Sequence, residues 1–292
     1  AGDTSSILKE SRAVKNLILA DGPAGLRLQP HFVTDKDGNI LKGGEGFNGT
    51  FLPFENVPED AVHYYQYCTA IPIGWSLAQS WNTDLLNKAG QIIGEEMEKF
   101  NIDLWLAPAM NIHRNPLCGR NFEYFSEDPL LTGKIAGAII NGVQKNKSKG
   151  TVIKHFAVNN QEENRYFVNA HVKERVLREI YLKGFEIAVK EGGASSVMTT
   201  YGRVNGLWTA GNFDLNTVIL REEWGFKGFT MTDWWANINV RGKEPDKTDL
   251  AAMARAQNDV YMVCPDGEKN DDNTLVALEN GGIERGGLPR NA

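Results

Sequence analysis

Short apolar, β-branched runs alternate along this chain with longer stretches in which apolar residues recur every three or four positions. The short runs predict strands at Lys15–Ala20, Ile71–Leu77, Leu104–Pro108, Thr151–Phe156, Ser196–Thr200, Gly228–Thr232 and Asn258–Val263. The longer stretches predict helices at Thr83–Lys99, Leu130–Lys145, Val172–Lys190, Leu215–Trp224, Asp249–Gln257 and Asn273–Asn280, with charged residues between the apolar ones. Strands alternating with helices mean a parallel sheet whose helices cover its outside. The seven strand-like runs favour an α/β fold of (β/α)8-like TIM barrel type, irregular or incomplete, over an open doubly wound sheet. An open sheet would begin with a Gly-rich phosphate turn. The turn in that place, Asp21-Gly-Pro-Ala-Gly-Leu-Arg27, has a proline and charged ends that fit a phosphate cradle poorly. Asp35–Asn48, rich in Gly and Lys, reads as a long exposed loop or an excursion on one barrel face. Residues 1–292 read as a single barrel domain.

That barrel gives the polar residues a common address. In such a fold the C-terminal strand ends converge on one bowl, and catalytic groups sit there. Those ends carry Asp21, Lys154 with His155, Tyr201 and Asp233. Each one alone is accounted for as a helix cap or a loop hydrogen bond; all four on one face are accounted for less economically that way. Asp233 is followed by Trp234 and Trp235, and a carboxylate beside broad aromatic faces suits a sugar site. Asp21, Arg27, Arg120, Lys154 and His155 would supply polar contacts to vicinal hydroxyls, and Trp234 or Trp235 an apolar platform.

Composition trims the alternatives. A net charge of −6 leaves no basic footprint for nucleic acid, and no long apolar run suggests a membrane span. His31, His63, His113, His155 and His171 are scattered, so no metal or other cofactor is expected, and each lone His reads as a hydrogen-bonded structural group. Cys68, Cys118 and Cys264 are odd in number and far apart, which reads as buried or free thiols. Asn48-Gly-Thr50 and Asn146-Lys-Ser148 match a glycosylation triplet that is common by chance, and the compartment stays open. A rival chemistry is a Schiff-base aldolase on Lys154, ranked lower because no phosphate-binding Gly loop follows the last strands.

Five motifs then converge in order along the chain: Leu19-Ala-Asp-Gly-Pro-Ala-Gly-Leu-Arg27, Gly119-Arg-Asn-Phe-Glu-Tyr-Phe-Ser-Glu-Asp-Pro129, Lys154-His-Phe-Ala-Val-Asn-Asn160, Met198-Thr-Thr-Tyr-Gly-Arg-Val-Asn-Gly206 and Met231-Thr-Asp-Trp-Trp235. Together they resemble the barrel domain of glycoside hydrolase family 3, its β-glucosidases in particular. The resemblance implies an exo-acting, retaining enzyme for β-glucosides or short β-gluco-oligosaccharides, with Asp233 as nucleophile. It implies that Asp21, Arg27, Arg120, Lys154 and His155 hold sugar hydroxyls, that Tyr201 orients the nucleophile, and that Trp234 stacks on the sugar. Lys154 and Arg120 would keep Asp233 ionised. The continuation Ala157-Val-Asn-Asn-Gln-Glu-Glu-Asn-Arg165 lacks the Pro-Gly-His-Gly of the N-acetylglucosaminidase branch, while β-xyloside specificity stays open.

A retaining glycosidase also needs a second carboxyl group, about 5 Å from the first. In multidomain relatives it is a Glu on an α/β sandwich domain, which is expected to be a partner outside this chain. Glu123, Glu127, Asp128, Glu162 and Glu163 are local candidates that read better as surface charge or loop hydrogen bonding. The chain thus reads as a barrel excised or processed from a longer enzyme, with a sugar-binding fragment without turnover as the non-enzymatic alternative. A homo-oligomer is compatible with the sequence.

Overall fold

A computed structural model describes residues 17–45, 51–240, 242–262 and 273–281, together with the backbone of strand Gly2–Asp3. Five parallel strands form its central sheet: β1 (Ile18–Ala20), β2 (Leu104–Trp105), β3 (Gly150–Phe156), β4 (Ser196–Thr199) and β5 (Phe229–Thr232). Each strand pairs with the next in the chain, and Gly2–Asp3 adds an antiparallel edge to β1. A doubly wound sheet would reverse its order at a switch point. Sequential order without reversal is barrel winding, so the sheet is a curled part of a (β/α) barrel. Beyond β5, the predicted strand Asn258–Val263 contributes one parallel bridge, Met231 to Val260, and Val263 lies outside the described residues.

Side-chain alternation along the strands separates two apolar layers. Leu19, Leu104, Leu106, Val152, Met198 and Met231 pack together with no helix residue among them, which makes them the barrel interior. Their strand neighbours Ala20, Trp105, Ile153 and Val197 face a larger core shared with the helices.

The helices are α1 (Gly74–Ala78), α2 (Thr83–Lys99), α3 (Pro129–Val143), a run α4 from Glu174–Val176 through the π-helical turn Leu177–Tyr181 to Lys183–Lys190, the π-helical α5 (Asp214–Glu223), α6 (Leu250–Arg255) and α7 (Thr274–Glu279). Asn82 caps α2 by accepting from the Leu85 N–H at 3.0 Å, and Asp128 caps α3 by accepting from the Leu131 N–H at 2.8 Å, just ahead of Pro129. Leu86, Ile93 and Met97 are buried on one face of α2, as their spacing predicts.

One expectation is overturned. Ile71–Leu77 is not a strand: Pro72 removes a ladder donor, and Gly74 opens α1 with its backbone against the Glu123 carbonyl. The Asp35–Asn48 excursion is built on two antiparallel ribbons, His31–Thr34 with Val62–Tyr65 and Gly44–Glu45 with Phe51–Leu52; residues 46–50 lie outside the described ones. The first ribbon brings two of the scattered histidines together, His31 Nε2 lying 2.9 Å from His63 Nδ1. Cys68 and Cys118 are half-buried free thiols, in keeping with the free-thiol reading, and Cys264 is outside the described residues.

Helices α2 and α3 meet through glycines. A Cβ on Gly142 would lie 2.1 Å from the Asn87 carbonyl oxygen, and one on Gly90 would lie 2.3 Å from that of Ile139. Helix propensity alone would make Gly142→Ala stabilising by about 1 kcal/mol. Backbone crowding reverses the sign, and a net destabilisation of about 1–3 kcal/mol is expected in urea titrations.

Candidate active site

The interior register delivers the polar residues. Asp21 stands two residues beyond interior Leu19, Lys154 two beyond Val152, and Asp233 two beyond Met231, so all three point into the same end of the barrel. The structure brings them together: Lys154 Nζ donates to Asp21 Oδ1 at 2.7 Å, across strands β1 and β3. Arg27 reaches back along its own tight loop to Asp21 Oδ2 at 2.8 Å, while much of its side chain stays in solvent. Burial alone would raise the Asp21 pKa; the Lys154 ammonium, the Gly22 N–H and Arg27 outweigh it and bring it down to about 2.

Asp233 begins the loop after β5 and is 7% exposed. Its Oδ1 accepts from the Trp234 N–H at 2.8 Å, the Tyr201 hydroxyl hydrogen-bonds the carboxylate, and His155 Nε2 lies 3.8 Å from Oδ2. Burial pushes this carboxyl above its ordinary value of 3.8; the Trp234 N–H, Arg120, Lys154 and Tyr201 oppose the shift without reversing it. Lys154 and Arg120 act in the expected direction, favouring the ionised form, and desolvation is the larger effect. In turn, burial and the Asp233 charge push the Tyr201 phenol up, so the hydroxyl stays a donor.

His155 is buried with its pKa driven well down, first by burial and then by Arg120, Lys154 and Arg165, so the ring is neutral. Its backbone N–H donates to Asn111 Oδ1 and its carbonyl accepts from Asn111 Nδ2, both at 2.9 Å. The Tyr124 hydroxyl lies 3.4 Å from His155 Nδ1 and accepts from Asn159 Nδ2 at 2.9 Å. Arg120, on the long loop between β2 and α3, is ion-paired through Nε with Glu123. Trp234 packs on the interior cluster, whereas Trp235 is 40% exposed, which favours Trp234 as the ring beside the carboxylate.

Five residues of this network lie outside the predicted set. Asn111, Tyr124 and Asn159 clamp His155, and Thr200 donates to Asn159 Oδ1 at 3.1 Å. Arg165 holds Glu162 at 2.8 Å and lies 4.8 Å over the Tyr201 ring. Tyr124, Asn159 and Thr200 stand inside motifs quoted above, which is the one signal that would have found them.

Three of the five local carboxylates are engaged in other contacts. Glu123 pairs with Arg120, Glu162 with Arg165 and Asn159, and Asp128 caps α3. The described residues contain no cluster of three or more His, Cys, Asp or Glu that would hold a metal, and no helix long and apolar enough to cross a membrane.

Fold and site thus define a (β/α)-barrel protein whose C-terminal strand ends gather one buried carboxylate, an acid–lysine pair and a neutral histidine. Residues 59–291 match the model of the glycosyl hydrolase family 3 N terminal domain, and the chain belongs to that family. It is 59% identical over 223 residues to a "Beta-glucosidase" of Ruminococcus albus, covering 76% of this chain and 23% of that one. A solved β-glucosidase from Paenibacillus barengoltzii superposes with a TM-score of 0.77 at 46% identity, over 94% of this chain and 27% of that one. β-Glucosidase 3B of Thermotoga neapolitana in complex with glucose gives 0.76 at 41% identity, over 95% and 35% respectively. The chain spans about a quarter of the length of the curated relatives it matches.

The Asp21–Lys154 pair makes stability depend on pH. A carboxyl depressed from 3.8 to about 2 stabilises the fold fully above pH 4, and that contribution is lost as pH falls through 2. Its size is about 1–2 kcal/mol once solvent at the partly exposed Asp21 is allowed for. Urea titrations of Lys154→Met should show a deficit against the parent at pH 5 that shrinks towards pH 2.

Proposed function

We propose that this chain carries the nucleophile and the glycone-binding half of a retaining, exo-acting β-glucosidase. The observation that carries the reading is the Asp233 carboxylate, desolvated, oriented by Tyr201 and the Trp234 N–H, and flanked by Arg120, Lys154 and neutral His155. The relatives named above are β-glucosidases, and one was solved with glucose.

In this reading Asp21, Arg27, Arg120, Lys154 and His155 bind the hydroxyls of a terminal β-D-glucosyl unit, and Trp234 covers its apolar face. An Asp233 oxygen attacks the anomeric carbon as the bond to the aglycone oxygen breaks, giving a glucosyl ester of Asp233 and an aglycone that must take a proton. Water then attacks the same carbon, releasing glucose with retained configuration and restoring the carboxylate. Glu123, Glu162 and Asp128 are committed to ion pairs or a cap, which supports an acid/base glutamate from a partner α/β sandwich domain. Lys154 is held by Asp21, which disfavours the aldolase chemistry. Residues 1–292 would then be one barrel domain of a larger enzyme.

A leaving group that needs no proton isolates the half-reaction present here. With 2,4-dinitrophenyl β-glucoside the chain should release a burst of dinitrophenolate and then turn over slowly. Azide should accelerate the second phase by attacking the ester, and the product should be the β-glucosyl azide. Attack requires ionised Asp233, so the burst rate should rise with pH to a midpoint above 3.8, and Lys154→Met should move that midpoint higher by removing a cation. A folded chain that binds glucose but gives no burst would instead be a sugar-binding barrel.

A further inference from the structure

A cleft of about 290 Å³ opens between α1, the turn into α2, the loop before α3 and the first turn of α3. It is separate from Asp233, and the ring contacts that link the two run from His113 through Tyr124 to His155. Its walls carry two indoles, Trp75 and Trp81, which are 53% and 75% exposed. Phe125 and Leu131 form an apolar floor, and Gln79, Glu127 and His113 supply polar groups.

One feature of this cleft is unexplained by folding. Trp81 sits at φ 52°, in the left-handed region that costs a bulky residue roughly 1–2 kcal/mol. It stands immediately before the Asn82 cap, where an apolar residue ordinarily folds down on the residue four places into the helix. Here that residue is Leu86, fully buried, while Trp81 points to solvent, so the staple is not made. The His113 ring, at the back of the cleft, hydrogen-bonds the backbone of Asn121 and Tyr124.

The chemistry of the lining selects the ligand class. No Lys or Arg lines the cleft, which disfavours an anion. Two exposed indoles suit the C–H face of a pyranose, and an imidazole, a carboxylate and an amide suit its hydroxyls. The volume lies at the small end of ligand sites, about 300–1,000 Å³, enough for one sugar unit. We infer that this cleft is a second carbohydrate site, which takes one neutral pyranose unit on Trp75 and Trp81 and hydrogen-bonds it through Gln79 and Glu127. The site holds a glucan chain beside the barrel and does not depend on Asp233.

Indole N–H signals in proton–nitrogen NMR spectra read the site directly. In the Asp233→Asn chain, where no glycosyl ester can form, added cellobiose should shift the Trp75 and Trp81 signals saturably. Trp81→Gly should abolish the Trp75 shift, and because glycine relieves the left-handed backbone its melting temperature should be unchanged or higher. Gln79→Ala, which removes one hydrogen bond, should weaken the affinity about tenfold. No saturable shift at Trp75 and Trp81, whatever Trp234 does, would overturn the inference. So would shifts that track protein concentration without sugar and accompany a doubled mass in light scattering, which would make the face a contact between two copies.

Discussion

Two-residue alternation along five short parallel strands is the constraint on which the rest depends. Once Leu19, Val152 and Met231 are committed to the barrel interior, the residues two places further on have nowhere to point except into the bowl above that interior. Those residues are Asp21, Lys154 and Asp233. The same alternation sends Ala20, Ile153 and Val197 outward against the helices, so the packing that stabilises the barrel and the convergence that builds the site are one arrangement.

Convergence creates an electrostatic problem, which the surrounding side chains divide between them. Asp21 keeps an ammonium within 2.7 Å and a guanidinium within 2.8 Å, and is held ionised far below the usual range. Asp233 has no cation in direct contact, only donors and charges at one remove, and its desolvation prevails. Two aspartates at one barrel end are therefore pushed apart in basicity by environment alone. His155 stays neutral between cations, clamped by Asn111 and Tyr124.

Much of this was legible in the order of residues. Thr83–Lys99 was bounded correctly because its apolar spacing, Asn82 cap and closing Lys99 agree. The strand ends bearing Asp21, Lys154 and Asp233 were readable because β-branched runs stop at polar residues. Ile71–Leu77 misled because its apolar run belongs to a loop and a short helix that bury Leu77 and leave Ile73 and Trp75 exposed, which periodicity does not separate from a strand. Asp259 and Val260 make strand-like hydrogen bonds to Thr230 and Thr232 around a single bridge, a distinction that composition does not carry. The clamp around His155 and the stacking of Arg165 on Tyr201 depend on how long loops fold back, and no local spacing encodes that.

The central claim is that Asp233 is the atom donor of a covalent sugar ester. Incubation with 2-deoxy-2-fluoro-β-D-glucosyl fluoride, whose leaving group needs little protonation, followed by intact-mass and peptide mapping, tests it most directly. The account predicts a single fluoroglucosyl adduct, located on the peptide containing Asp233. An adduct on another carboxylate, or none in a chain shown by circular dichroism to be folded, would contradict it.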